Sequence, residues 1–178
     1  MATQPIPPLS SHLPHLPGHA LVLACGNTLR GDDGVGWRIG CAVEQRPPCD
    51  GLTVVLTQQL LPEHAEAIST ADIVVFVDCS AVTAAGTVST IDLRPAVSLP
   101  RILTHHLDPA ALLRLALDLY SRTPARAVAV TVGGESFALT DQLSKAVRSA
   151  VPKALEAVRA ALAAETLAPV THASTHAS

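Results

Sequence analysis

Apolar and polar positions alternate between two periods along the chain. Leu21 to Cys25 is a short apolar run ending at Gly26, and from Asp32 onward Val35, Ile39, Ala42 and Val43 recur at helical spacing until Pro47-Pro48 stops them. The pattern predicts a strand, a glycine-rich turn and a helix. Leu52 to Thr57 reads as a second strand, and Pro62 to Ser69 as a short helix with proline at its permitted first position. Ile73 to Val77 is almost wholly β-branched, the signature of a parallel strand covered on both faces, with Asp78 predicted to end it.

Thr87 to Leu93 alternates more weakly, as an antiparallel or edge strand would. Asp108-Pro109 is a helix start, an N-cap followed by proline, with Leu112, Leu113, Ala116, Leu119 and Tyr120 as the expected buried face. Ala127 to Val132 is a further strand. Val147, Val151, Leu155, Val158 and Leu162 form a long helical stripe, predicted to break or kink near Pro152. Strands alternating with helices predict an α/β fold with a doubly wound, mostly parallel sheet and helices on both faces, a phosphorylase/hydrolase-like three-layer sandwich. In such a sheet the ligand crevice lies beyond the carboxyl ends of the strands.

The ends of the chain break the pattern. A proline-rich start and a small, polar, self-repeating finish read as disordered tails over 1–18 and 166–178, around a single domain over 19–165. The histidines at 12, 15, 19, 172 and 176 fall in or beside these tails and are set aside as site candidates. A chain of 178 residues with 48% hydrophobic but only 2% aromatic residues builds its core from Ala, Val, Leu and Ile, which argues against an aromatic base-stacking platform.

Twelve Lys and Arg against 15 Asp and Glu give a net charge of −3 without a basic cluster, so nucleic acid is not expected as a partner. The apolar runs are of strand length, and the start carries no cationic, apolar leader. No membrane association is expected, and the reading is of a cytoplasmic protein. Cys25, Cys41, Cys49 and Cys79 show no CxxC spacing, and the plain expectation is reduced, structural thiols.

Candidate chemistry collects at the strand ends. Gly26 to Gly36 holds four glycines and the pair Asp32-Asp33. Glycine amides at a helix start invite comparison with a phosphate loop, but two aspartates would repel a phosphate. In the plain alternative Asp32 caps the helix and Asp33 complements its dipole. That leaves the four glycines unexplained, and Asp33, held ionised by the dipole, is the better metal-ligand candidate. Asp78 follows five apolar residues, where a lone carboxylate is costly unless it is paired, hydrogen-bonded or on a metal. His105 and His106 stand just before a helix, whereas His64 reads as solvated. Two carboxylates and an imidazole suit Zn, Ni or Mn.

Four segments, GNTLRGDDGVGWRI, IVVFVDCS, THHLDPAALL and VTVGGESF, resemble in order and spacing the hydrogenase maturation proteases. These endopeptidases trim the C-terminus of nickel-iron hydrogenase large subunits. The resemblance spans roughly residues 20 to 163, and the first segment is its most specific part. It implies an endopeptidase of aspartic type whose partner is a hydrogenase large-subunit precursor. The nickel is supplied by that precursor, with Zn or Cd substituting in vitro.

It also implies metal contacts at Asp33, Asp78 and His105, because the family histidine stands two before a leucine, here Leu107. Asp33 and Asp78 are then the catalytic candidates, and Gln58, Gln59 and Glu135 the substrate-binding ones. Two departures stand out. Thr57-Gln58-Gln59 replaces a segment that is often Asp-Gly-Gly in the family, and Gly134 stands where a proline commonly precedes the glutamate. Rival readings are a non-cleaving nickel-recognising maturation protein of the same fold and a nucleotide or metabolite binder.

Overall fold

The computed structural model describes residues 18–97 and 107–163. In chain order the elements are β1 (Ala20–Cys25), a 3₁₀ turn (Gly31–Gly34), α1 (Val35–Gln45), β2 (Leu52–Thr57), α2 (His64–Thr70), β3 (Ile73–Ser80), β4 (Val88–Asp92), α3 (Pro109–Tyr120), β5 (Arg126–Gly133) and α4 (Lys145–Ala163). The five strands form one sheet in the order β2-β1-β3-β5-β4. Every pairing is parallel except β4 with β5, so the weakly alternating segment is the antiparallel edge strand.

Helices cover both faces, as the continuous apolar strands require. Along β1, Val22 and Ala24 face a core shared with Val35 and Ile39 of α1 and Val147 and Leu155 of α4. Leu21 and Leu23 point the other way, toward Ile68 of α2 and Leu112 and Leu113 of α3. The result is the three-layer α/β sandwich expected from the sequence. Among the described residues no helix is long and apolar enough to cross a membrane.

The start of α3 is built as the sequence predicts, with the Ala111 N–H donating to Asp108 Oδ1 at 2.7 Å and Pro109 opening the helix. Other details differ. Leu119 and Tyr120 are 61% and 46% exposed, so the buried stripe of α3 ends at Ala116. Helical spacing shows which side chains share a face, but not where the layer beneath that face stops. Pro62 lies in a turn ahead of α2 rather than inside it. Pro152 sits within an unbroken α4 on its exposed side.

β1 is followed in the chain by β2 on one side, while β3 pairs on its other side. The carboxyl ends of β1 and β3 therefore form the point where the winding reverses, the place where open α/β sheets leave a crevice.

Candidate functional site

The loop leaving β1 and the end of β3 meet at this crevice. Gly26 turns the chain at φ +142°, a conformation that disfavours side chains, and a Cβ there would lie 2.0 Å from the Asp33 carbonyl oxygen. Gly36 opens α1 directly against the strand ends. A Cβ on it would stand 2.1 Å from the Cys25 carbonyl oxygen, 2.7 Å from that of Val77 and 3.2 Å from Asp78 Cα. Two glycines thus let the loop and the first turn of α1 lie flat on β1 and β3, which carries Asp33 to Asp78.

Asp33 is half-buried, within the 3₁₀ turn rather than the α-helix, and its Oδ2 accepts from the Asn27 N–H at 2.9 Å. Asp78 does not end its strand. β3 runs on to Ser80, with Asp78 paired in register to Thr131 of β5. Strand pairing is made by the backbone, so an acidic side chain at the sheet margin does not interrupt it.

Asp78 is exposed to solvent near the carboxyl end of β3. Even so, crowding by protein pushes its carboxyl up to about 6, against the pull of the Cys79 N–H, and the Asp33 charge adds to the rise. Among the described residues neither aspartate is in an ion pair. The charge of Asp33 is thus felt at Asp78, which places the two carboxylates in one electrostatic neighbourhood.

His105 and His106 lie outside the described residues. Among the described residues no three His, Cys, Asp or Glu side chains cluster as a metal site. The structure therefore sets Asp33 near Asp78 and does not bear on His105 or His106. His64 is not simply solvated: it is half-buried, and its Nδ1 accepts from the Leu61 N–H at 3.0 Å ahead of α2. His19 joins the fold, its N–H donating to Asp72 Oδ2 and its Nε2 lying 2.8 Å from Thr53 Oγ1.

Gln58 and Gln59 are exposed just beyond β2, the neighbour of β1, and so stand on the same edge of the sheet. Glu135 is exposed in the loop after β5. All four cysteines are free thiols. Burial pushes both Cys25 and Cys79 up to about 12, helped by the Asp78 charge at each and by Asp33 and Asp32 at Cys79. A thiol held protonated is a poor nucleophile.

Asp32 is the residue whose role the sequence did not show. It caps neither the 3₁₀ turn nor α1, which have no side-chain cap. It is fully buried, with Oδ2 accepting from Glu135 and Ser136 N–H at 2.9 Å each and Oδ1 from Ser144 N–H at 2.7 Å. Desolvation opposes its ionisation, but these hydrogen bonds prevail and hold its carboxyl below the usual aspartate range. A motif of two adjacent aspartates gives no hint of partners 103 to 112 residues away.

The fold is that of the hydrogenase maturation peptidases. The chain is similar to the hydrogenase maturating endopeptidase HybD from Escherichia coli, at 28% identity and a TM-score of 0.65 over 81% of this chain and 91% of that one. The [NiFe] hydrogenase maturation protease HybD from Thermococcus kodakarensis matches at 22% identity and 0.59, over 80% and 99% of the two chains. The maturation protease HycI from Thermococcus kodakarensis KOD1 matches at 19% and 0.61, over 82% and 92%. Neither a family model nor a curated protein matches the sequence. The resemblance read from the sequence segments is thus matched by likeness in structure.

Proposed function

We propose that this protein is an endopeptidase of hydrogenase maturation that removes the C-terminal extension of a nickel-loaded large-subunit precursor. The observation that supports it most is the convergence of Asp33 and Asp78, from separate elements, at the winding reversal of a maturation-peptidase fold. In this reading the nickel belongs to the substrate. Asp33, Asp78 and His105 contact it, so that a filled precursor is distinguished from an empty one. A carboxylate is also the general base for water attacking the scissile carbonyl, a role that asks for a pKa near the working pH. Gln58, Gln59 and Glu135 then line the path of the extension with amide and carboxylate groups.

Metal-induced stabilisation tests the recognition half of this reading. Ni, Zn or Cd is expected to raise the melting temperature as ln(1 + [L]/Kd) grows. Asp33→Ala, Asp78→Ala or His105→Ala should each remove most of the shift, while His106→Ala keeps it. Equal loss at both histidines would overturn the ligand assignment.

A further inference from the structure

The mechanism above uses Asp33 and leaves its neighbour Asp32 without a part, although Asp32 is a wholly buried carboxylate beside an active-site candidate. A charge in that position is retained only where hydrogen bonds compensate its desolvation. The compensation comes from the segment between β5 and α4, through the backbone N–H groups of Glu135, Ser136 and Ser144 and the Ser144 side chain. Ser144 is itself at the start of α4, its Oγ accepting from the Val147 N–H.

The two loops are joined by further bonds around the carboxylate. The Gly31 N–H donates to the Thr140 carbonyl at 2.7 Å, the Asp32 N–H to that of Ser136 at 2.9 Å, and the Thr140 N–H returns to that of Leu29 at 3.0 Å. The Arg38 guanidinium reaches the Asp141 carbonyl oxygen as well. The turn that carries Asp33 is therefore tied to a loop distant in sequence as well as to its own helix. Asp32 is where that attachment is buried.

We infer that Asp32 is a positioning residue: its carboxylate fixes the turn carrying Asp33 to the loop after β5, so that Asp33 and the Glu135 rim form one rigid wall of the crevice. The effect on turnover rests on the maturation reading, whereas the effect on the position of Asp33 does not. The Asn27 N–H, which donates to Asp33 Oδ2, reports that position without touching Asp32.

The test is the Asp32→Asn variant, which keeps shape but turns an N–H₂ toward an N–H that needs an acceptor. Amide resonances and cleavage kinetics are to be measured well below the melting temperature. The Asn27 amide should shift while Val75 and Val128 in the sheet stay in place, and kcat/KM should fall by about tenfold or more, mainly in kcat. A folded variant with an unmoved Asn27 amide overturns the proposal. So does a moved amide with wild-type kcat/KM, because Asp32 would then be structural only.

If Asp32→Asn does not fold, Ser144→Pro takes its place, removing the Ser144 donors to the carboxylate at a helix start that tolerates proline, with Ser144→Ala as the control for the accompanying loss of the Oγ contact with the Val147 N–H. It is judged by the same two readouts. Failure of the wild-type protein to cut any precursor sinks the maturation reading instead, and the amide measurement then decides the positioning role by itself.

Discussion

A carboxylate is shaped by what faces it, and the two adjacent aspartates of the glycine-rich turn show how far neighbours can diverge. Asp32 is enclosed by three N–H donors and stays ionised, while Asp33 keeps one donor and faces the crevice. Asp78, across from it, is pushed up to about 6. Because its folded pKa lies above the unfolded value, Asp78 contributes stability that is fully present below about pH 4 and lost as pH rises through about 6. In chelator-treated protein, Asp78→Asn is therefore expected to gain on wild type as pH rises. The melting-temperature difference should move in favour of the variant between about pH 4 and pH 7. A difference that stays constant over that range would contradict the assignment.

At the scale of elements, the site depends on how closely α1 lies on β1 and β3. Gly36 has backbone atoms of both strand ends where a Cβ would go, and none of them is the tip of a flexible side chain. Gly36→Ala should therefore cost about 1–3 kcal/mol or more, in the manner of an overpacked core, and displace Asp33 from Asp78. Chemical denaturation reads the first effect, and loss of metal-induced stabilisation reads the second. A fully stable, metal-responsive Gly36→Ala protein would show that the helix has room to move.

Much of this level is legible in the sequence. The runs at Leu21, Leu52, Ile73 and Ala127 announce buried strands because both faces are covered, and Asp108-Pro109 announces a helix because capping is local. What depends on distant partners is not legible. Nothing near Asp32 foretells the amides of Glu135, Ser136 and Ser144. The apolar spacing at Leu119 and Tyr120 continues past the last buried turn of α3. Asp33 and Asp78 are candidates because open α/β sheets place their ligands at the carboxyl ends of the strands, an inference from topology. Asp78 nonetheless looks like a strand end in the sequence, since side-chain polarity masks the backbone pairing that carries β3 on to Ser80.

For the molecule as a whole, a three-layer sandwich with its winding reversal between β1 and β3 brings Asp33 and Asp78 to one edge of the sheet. Gln58 and Gln59 are exposed on that edge just beyond β2 and give it an uncharged, polar margin. The central claim is that this crevice cuts a nickel-loaded precursor. The most direct measurement is the intact mass of a nickel-loaded hydrogenase large-subunit precursor after incubation with the purified protein. The account predicts loss of a single C-terminal fragment with wild type, none with Asp33→Asn or Asp78→Asn, and none from a nickel-free precursor. A nickel-loaded precursor that binds yet keeps its full mass, or that both variants shorten as fast as wild type, would contradict it.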